Sequence, residues 1–301
     1  MCRCMTIYHL NKITGSLARK ILPDATVIRA NPAKDTAESV LAAVPKGETE
    51  FLYHFGVTYS ILWPPFRSKL TAALQARGIQ VYNHQANDLS RTTLQGHLAA
   101  AGLPTLTAAR SGSAEEILLV RPNFNYFGGA QVKFHTKFPA LFPRYPKTVK
   151  DFRIMPRREV PAPFWDDEDV QIERFVSNPD DVIYRVLAFK DRALAVKYIN
   201  PKPIKKGDEA TSKWRFFNTT RNPEILRVMQ YARKVFKKMK YDFGALDVLA
   251  DAGGQLYACD MNSTPFYGGS WHGFNKKSEG TNKQVFQYLR GEKNSFQPPE
   301  Q

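Results

Sequence analysis

The sequence predicts an α/β protein that begins with a small domain built on a parallel sheet. In residues 1–82, short apolar runs alternate with segments of helical periodicity, and this alternation is typical of a parallel sheet with helices on its faces. Farther along the chain, pairs of apolar runs flank short turn segments, which predicts antiparallel hairpins. The length of 301 residues suits about two domains or one large α/β domain.

Composition limits the class of protein. Hydrophobic residues make up 43% and charged residues 24% of the chain, as in ordinary globular proteins, and the 20 Phe, 13 Tyr and 4 Trp exclude a disordered chain. The 3 cysteines are too few for a disulfide framework or a four-cysteine zinc site. No apolar run approaches the roughly 18 residues that span a bilayer, and the first ten residues lack the apolar core of a signal peptide. We therefore expect a cytoplasmic protein with no membrane partner.

The positive charge is concentrated in the middle of the chain. The net charge is +15, and residues 121–240 contain 26 Lys and Arg against 13 Asp and Glu, which is +13 of that total. A basic stretch of this kind favours an anionic partner, such as nucleotide phosphates, an acidic substrate or nucleic acid.

The elements of the first domain are predicted from local patterns. Short apolar runs predict strands, and segments of period 3.6 predict helices. The second helix is expected to end just before Gly78, because glycine is favoured at helix C-termini. The predicted strands are 26–28, 51–53 and 79–82, and the predicted helices are 36–44 and 66–77.

The rest of the chain combines helices with hairpins. Capping residues precede a helical pattern over 91–101, which ends at Gly102. Turns at 190–192 and 251–254 each join two apolar runs, which predicts two hairpins. Residues 139–169 are rich in Pro and Arg without a clear period, and we expect an insertion or a mobile flap there. The predicted strands are 117–120, 170–176, 182–189, 193–199, 245–250 and 255–260, and a basic amphipathic helix is predicted over 223–239.

Three oxygen-bearing side chains lie on the last predicted hairpin. Asp247 lies in its first strand, and Asp260 and Asn262 lie two residues apart at the end of its second strand. Alternation along a strand places Asp260 and Asn262 on one face, and Asp247 can face them across the ladder. Two carboxylates and a carboxamide are hard oxygen ligands suited to Mg²⁺ or Mn²⁺. Zinc is disfavoured, because no His or Cys joins the group unless Cys259 turns toward it.

The pattern around these residues is more specific than an isolated Asp-x-Asn. An apolar–Asp–apolar strand, a hairpin and the sequence apolar–Asp–x–Asn–x–x–Pro follow one another within residues 242–269. This pattern resembles the metal-binding hairpin of the ATP-grasp superfamily, in the branch of peptide-modifying and glutathione-synthetase-like carboxylate–amine ligases. Glu is commoner in that family at the position of Asp260. Other similar landmarks extend the resemblance over roughly residues 80–290.

The resemblance implies the ATP-grasp fold, in which two α+β subdomains clasp ATP, preceded here by a small Rossmann-like parallel-sheet domain. The segments that it implies are an N-terminal domain at 1–82, a first subdomain at 83–170 that includes the insertion or flap at 139–169, a second subdomain at 171–291 and a flexible tail at 292–301.

The resemblance also implies roles for residues at matching positions. Arg91 and Arg121 stand where the family usually has phosphate-binding lysines, and arginine can bind phosphate with two hydrogen bonds. The loop at 128–129 resembles the flap over the phosphates, and the strand at 171–176 resembles the hinge that binds adenine. A surface position for Arg91 and an ordinary ion pair for Glu173 are equally open. The implied set is Arg91, Arg121, Gly128, Gly129, Glu173, Phe175, Val176, Asp181, Arg185 and Asn218 for ATP, Lys197 and Arg215 for catalysis, and Asp247, Asp260 and Asn262 for the metal.

The activity implied by the resemblance is ATP-dependent and Mg²⁺-dependent formation of an amide through an acylphosphate, with release of ADP and phosphate. The partners would be an amine and the carboxylate of a small molecule or peptide, and the basic stretch suits an acidic substrate. Two alternatives stay open. One is a kinase that phosphorylates a small molecule, and the other is a non-catalytic ATP-grasp or nucleic-acid-binding protein that uses residues 121–240. The sequence also leaves open whether the chain forms a homo-oligomer.

Overall fold

The computed structural model describes residues 4–10, 16–56, 65–124, 129–141, 152–178, 181–199, 213–217, 222–265 and 279–294. None of the helices within these ranges is long and apolar enough to cross a membrane. Two of the residues implied by the resemblance, Gly128 and Asn218, lie outside the described residues.

A parallel sheet covered by helices forms the N-terminal part of the fold. Its elements are β1 Met5–His9, α1 Leu17–Ile21, β2 Thr26–Arg29, α2 Ala37–Ala43, β3 Glu50–His54, α3 Phe66–Ala76 and β4 Gln80–Tyr82. The strands lie in the order β2-β1-β3-β4, and all neighbours are parallel. The parallel sheet predicted for the first 82 residues is therefore confirmed.

The central strand β1 has no counterpart among the predicted strands. All five of its residues are buried, because β1 lies between β2 and β3. Thr6 and His9 interrupt the apolar run that usually marks a buried strand. The burial of β1 follows from its position in the sheet and not from a local pattern.

A small antiparallel sheet follows. Its strands and the helices near them are α4 Arg91–Ala100, β5 Ile117–Pro122, α5 Gly129–Lys137, β6 Arg153–Pro156 and β7 Val170–Arg174. The strand order is β6-β5-β7. Strand β6 lies within the stretch 139–169, so this part of the expected insertion is an edge strand of the sheet. Because β7 pairs with β5, residues 171–174 belong to the small sheet and not to the second subdomain.

A larger antiparallel sheet carries the three candidate metal ligands, Asp247, Asp260 and Asn262. Its elements are β8 Val182–Phe189, β9 Arg192–Ile199, β10 Lys213–Phe217, α6 Pro223–Met239, β11 Phe243–Ala250, β12 Leu256–Asn262 and α7 Glu279–Arg290. The strand order is β10-β9-β8-β11-β12. Both predicted hairpins are present, since β8 pairs with β9 and β11 pairs with β12, each antiparallel.

The two faces of the large sheet contact different parts of the molecule. Val186 and Leu246 lie in the apolar core formed with α4 and α6. Their neighbours in sequence, Leu187 and Ala245, lie in a second core formed with α1, α7 and the parallel sheet. The alternation of side chains along β8 and β11 therefore decides which residues face each side.

Polar contacts join the parallel sheet to the large sheet. Asn83 has a positive φ of 55°, and its side-chain oxygen accepts hydrogen bonds from the backbone N–H groups of Asp242 at 2.9 Å and Phe243 at 3.0 Å. At the end of β12, the Ser263 hydroxyl donates to the carbonyl of Phe55 at 2.5 Å. The Asn83 contacts fix the residue after β4 against the start of β11, and the Ser263 contact fixes the end of β12 against the carboxyl end of β3.

The first residues of the predicted flexible tail are held against the large sheet. Arg192 of β9 donates from Nη1 to the carbonyl oxygen of Lys293 at 2.6 Å, and Arg290 of α7 pairs with Glu292 at 2.6 Å. A flexible tail therefore does not begin at residue 292. Residues 295–301 lie outside the described residues.

Candidate active site

The hairpin of β11 and β12 brings two carboxylates together. Asp247 stands directly opposite Asp260, and Asn262 stands opposite Ala245, two residues before Asp247. Opposed residues of an antiparallel pair share a face, so all three candidate metal ligands lie on the same side of the sheet. The pairing register shifts between Asp247 and Val248, which marks a β-bulge beside the carboxylates, a common feature next to functional sites.

Arg185 binds Asp247 with two parallel hydrogen bonds. The guanidinium donates from Nε to Oδ1 at 2.5 Å and from Nη2 to Oδ2 at 2.7 Å. The pairing of β8 with β11 places the two residues opposite each other. This planar, charge-assisted arrangement is among the stronger contacts that a carboxylate makes.

Arg91, the first residue of α4, forms an ion pair with Asp260. Its Nη2 lies 3.2 Å from Asp260 Oδ1, and its Nη1 donates to the carbonyl oxygens of Pro122 at 2.6 Å and Phe124 at 3.0 Å. The surface position that the sequence left open for Arg91 is therefore wrong, since the residue is only 4% exposed. Arg91 connects α4, the end of β5 and the hairpin.

Arg121 of β5 joins the small sheet to the hairpin. Its Nη2 lies 2.8 Å from Glu173 Oε1 and 2.7 Å from Oε2. The same nitrogen donates to the carbonyl of Cys259 at 2.5 Å. Glu173 thus forms an ion pair, one of the two alternatives that its sequence position allowed.

We call these six residues the ionic cluster: Arg91, Arg121, Glu173, Arg185, Asp247 and Asp260. Each is at most 8% exposed, and three guanidiniums face three carboxylates. Burial lowers the pKa of Arg91. Burial acts on Arg121 in the same direction and is the largest single effect, but Glu173, Cys259 and Asp260 together outweigh it and raise the pKa of Arg121. The ionic cluster therefore holds a balanced set of buried charges where the two antiparallel sheets meet.

A cavity of about 440 Å³ lies between the small sheet and the turn end of the β11–β12 hairpin. It is lined by Ile117 of β5, by Phe175 and Val176 just after β7, and by Tyr257 of β12. The backbone N–H of Phe175 donates to the carbonyl of Ile117 at 3.1 Å. We call it the hinge cavity, because the chain passes there from the small sheet to the large one.

Comparison with solved structures decides the fold. The ATP-grasp ligase PsnB, complexed with its minimal precursor, superposes with a TM-score of 0.55 at 11% identity over 96% of this chain and 99% of PsnB. A PsnB complex with a phosphomimetic precursor variant, Mg and ADP gives 0.53 at 10% identity, over 95% and 97% of the two chains. The D-alanine–D-alanine ligase of Bacillus anthracis gives 0.53 at 12% identity, over 96% and 94%. The chain has the ATP-grasp fold. No protein-family model matches the sequence, and a search of curated proteins finds no matching sequence.

Lys197, one of the two residues expected to act in ATP-grasp catalysis, does not join the ionic cluster. Lys197 pairs with Tyr184 across β8 and β9, which places it on the sheet face opposite to Arg185. Its Nζ lies 3.2 Å from Glu224 of α6, and Tyr184 also donates to that carboxylate. Arg215 stands opposite Lys197 in the pairing of β9 with β10. The structure thus gives Lys197 an ion pair with α6 in place of a position among the buried arginines.

Four other residues implied for ATP binding lie among the described residues. Gly129 is the first residue of α5, and Asp181 lies before β8 with a positive φ of 52°. Phe175 and Val176 line the hinge cavity. Gly128 and Asn218 lie outside the described residues.

The donor set on the hairpin fits a hard divalent cation. Asp247, Asp260 and Asn262 offer only oxygen atoms, which Mg²⁺ prefers. Within the described ranges, no group of three or more His, Cys, Asp and Glu side chains is arranged to hold a metal. The third oxygen donor on the hairpin is the carboxamide of Asn262. Its Oδ1 accepts a hydrogen bond from the backbone of Thr264 at 2.8 Å, which fixes its orientation.

A histidine pair at the edge of the parallel sheet was given no role by the sequence. His9 and His54 stand opposite each other at the carboxyl ends of β1 and β3, where the chain changes direction across the sheet. Ligands of open parallel sheets bind outside such a point. His54 is fully buried, and neither ring nitrogen has a hydrogen-bond partner among the described residues. Burial lowers the pKa of His54 to about 3. Only the order of the strands could have identified this position.

Proposed function

We propose that the protein is an ATP-dependent carboxylate–amine ligase that forms an amide through an acylphosphate. The observation that carries the proposal is the position of the ionic cluster. Three buried arginines and an oxygen donor set meet at the junction of the two antiparallel sheets, and residues of both sheets line the hinge cavity. The ATP-grasp fold supports this assignment, because the solved structures with the same fold include ligases.

In this proposal, the hinge cavity receives the adenine, and the ionic cluster receives the phosphates. The walls of the cavity include Phe175 and Tyr257, aromatic residues that can pack against a base. The guanidiniums of Arg91, Arg121 and Arg185 supply the positive charge that a polyphosphate requires. Their burial strengthens this attraction, since charges interact more strongly away from water.

The ion pairs of the cluster couple the nucleotide to the metal. Phosphate oxygens compete with Asp247 for Arg185 and with Asp260 for Arg91. Carboxylates released in this way become available to a divalent cation. A bound Mg²⁺ or Mn²⁺ would supply charge that offsets the phosphate oxygens. We therefore expect ATP and the metal to bind together more tightly than either binds alone.

The proposed reaction has two steps, phosphoryl transfer and amide formation. A substrate carboxylate oxygen attacks the γ-phosphorus, the bond to the β-phosphate oxygen breaks, and ADP leaves with that electron pair. The nitrogen of the amine then attacks the acyl carbon, phosphate leaves, and the nitrogen loses a proton. Neither step requires a nucleophile from the protein. The cluster arginines would stabilise the charge on the transferring phosphoryl group.

We place the acceptor substrate between the ionic cluster and the carboxyl edge of the parallel sheet. Ser263, one residue after the donor set, already contacts Phe55 at the end of β3. The backbone N–H of Leu17 at the start of α1 donates to the carbonyl of Pro265 at 2.8 Å. A substrate held at this edge lies next to the transferred phosphate.

The test is an assay of the full chain with MgATP and mixtures of carboxylic acids and amines. We expect ADP and inorganic phosphate in equal amounts, with release dependent on both a carboxylate and an amine. Asp260→Asn should sharply lower release, because it removes the negative charge of a proposed metal ligand and of the partner of Arg91. Asp166→Asn is the matched control, since Asp166 forms an exposed pair with Arg110, and it should retain full release.

Two other outcomes would overturn the ligase proposal. Release of ADP without phosphate, with a phosphorylated hydroxyl in the product, would show a small-molecule kinase. Absence of MgATP binding together with salt-dependent binding of RNA or DNA would show a nucleic-acid-binding protein that uses its basic stretch.

A further inference from the structure

A second cavity lies on the other side of α4 from the ionic cluster. Its volume is about 560 Å³, within the range of small-molecule sites. We call it the helix cavity, because it is lined by α3, α4 and the C-terminal end of α6, together with the connector between β4 and α4. Thr93 and His97 of α4 line it, whereas Gln95 of the same helix donates to the carbonyl of Ala258 in β12 at 2.9 Å. The two sites therefore use different faces of α4.

The walls of the helix cavity are positively charged. Arg67, Lys238 and Lys240 line it, and they face a single lining carboxylate, that of Asp88. Asp88 already accepts hydrogen bonds from the Ser90 backbone at 2.7 Å and from the Thr93 hydroxyl at 2.5 Å. The remaining charge in the lining is positive, which selects for an anionic ligand.

Arg67 places one of these charges inside the protein. The residue is 3% exposed, its Nη1 donates to the carbonyl of Ala86 at 3.3 Å, and its guanidinium lies 4.3 Å from the ring centre of Tyr53. Burial lowers the pKa of Arg67 to about 9, so the side chain is still charged at neutral pH. A buried cation held by a carbonyl and an aromatic ring is already ordered, and a ligand would lose less entropy in meeting it.

Tyr241 supplies an unused donor at the same place. It follows α6, lines the helix cavity and is 5% exposed. Its hydroxyl is buried and has no hydrogen-bond partner among the described residues. A buried polar group without a partner costs free energy, and such a group beside a cavity is expected to have a role there.

We propose that the helix cavity binds a small phosphate-bearing anion, distinct from the nucleotide of the ionic cluster. The phosphate oxygens accept from the Tyr241 hydroxyl and the Arg67 guanidinium. Lys238 and Lys240 lie at the exposed rim and attract the anion. A phosphate group suits this lining better than a single carboxylate, because it offers three oxygens and up to two negative charges.

The test measures the binding of two probes, inorganic phosphate and ribose 5-phosphate, by calorimetry and by thermal unfolding of the full chain. We expect both to bind the wild type and to raise its melting temperature. Tyr241→Phe removes only the hydroxyl, and it should weaken binding of both probes about tenfold, the usual effect of one hydrogen bond to a charged group. Without probe, the Tyr241→Phe protein should be as stable as the wild type or more stable, because the lost hydroxyl has no partner.

Tyr231→Phe is the matched control. The Tyr231 hydroxyl accepts a hydrogen bond from the backbone N–H of Ala258 at 3.1 Å. Its removal should lower the melting temperature and leave phosphate affinity unchanged. A further variant, Lys238→Gln, changes an exposed rim residue and should weaken both probes.

The outcomes separate the helix cavity from the ionic cluster. The proposal is supported if Tyr241→Phe weakens phosphate binding while MgADP binding stays unchanged, and if Asp260→Asn does the reverse. Equal phosphate affinity in the wild type and Tyr241→Phe overturns it. So does loss of phosphate binding in Asp260→Asn with retention in Tyr241→Phe, because the phosphate would then occupy the ionic cluster. Absence of binding by both probes at millimolar concentration also overturns it.

Discussion

Each charged residue of the ionic cluster needs its oppositely charged partner, because a buried charge without a counter-charge lowers the free energy of unfolding. Arg185 and Asp247 are 8% and 2% exposed and satisfy each other with two hydrogen bonds. A buried pair of this kind adds little net stability compared with apolar side chains, whereas removal of one partner leaves the other uncompensated.

Asp247→Ala should therefore lower the free energy of unfolding by about 3–5 kcal/mol, because Arg185 stays buried without its carboxylate. Urea denaturation would measure the change. The matched control is Asp166→Ala, which removes the carboxylate from the pair with Arg110, whose side chains are 72% and 60% exposed. Exposed pairs contribute little, so the control should unfold at nearly the wild-type urea concentration. Similar losses in the two variants would contradict the account of the ionic cluster.

The buried side chain of His54 should make the free energy of unfolding depend on pH. Its folded pKa lies at about 3, below the ordinary value near 6.5. The unfolded chain therefore takes up a proton that the folded chain excludes, and stability is lost as pH falls below about 6.5. Between pH 7.5 and 4.5 the loss attributable to His54 should be about 2–3 kcal/mol.

The variant His54→Phe isolates this effect, because it keeps an aromatic ring next to Phe243, whose ring centre lies 6.0 Å from that of His54. Its free energy of unfolding should fall less steeply over the same pH range than that of the wild type. Parallel curves for the two proteins would show that His54 does not carry the dependence.

At the scale of elements, the close approach of β11 to β12 fixes the donor set. A Cβ atom added at Gly244 would lie 2.7 Å from the carbonyl oxygen of Asn262, a distance at which the backbone must move. Gly244→Ala should therefore displace the end of β12. We expect a loss of about 1–3 kcal/mol in unfolding free energy, as for other overpacked sites, together with weaker MgATP binding. Normal MgATP affinity in this variant would contradict the proposed role of Asn262.

Gly96 is the contrasting glycine. It lies within α4, is exposed, and a Cβ atom added there meets no atom within 4 Å. Gly96→Ala should raise the free energy of unfolding by about 0.5–1 kcal/mol, because alanine favours the helix. Chemical denaturation would measure the gain, and MgATP affinity should stay at the wild-type value. A loss of stability would show that α4 is strained or packed differently at this position.

Elements with strong local patterns were predicted well, and elements defined by tertiary position were not. Helix α6 has the predicted bounds, because Asn222 caps it, Pro223 begins it and an apolar stripe recurs along it. Strand β1 lacks such a pattern and is defined by its neighbours. The pairing of Arg121 with Glu173 was also beyond the sequence, since it depends on the register between β5 and β7.

At the scale of the whole molecule, the arrangement of faces decides which predicted residues can act together. The hairpin pattern correctly placed Asp247, Asp260 and Asn262 on one side of a sheet. The resemblance to the ATP-grasp fold led to the correct fold. It also implied a catalytic role for Lys197, which the register between β8 and β9 places on the other face. Motif order along a chain does not give the register between strands, so the pairing of β8 with β9 was needed to separate Lys197 from the ionic cluster.

The most direct test of the central claim is the thermal unfolding of the wild type and Asp260→Asn with and without MgATP. A ligand that binds only the folded state adds about 2.7 kcal/mol at 100 times its dissociation constant. We expect MgATP to raise the melting temperature of the wild type and of the exposed control Asp166→Asn, with little effect on Asp260→Asn. An unchanged melting temperature of the wild type at millimolar MgATP, or an equal increase in Asp260→Asn, would contradict the assignment of the ionic cluster as the nucleotide and metal site.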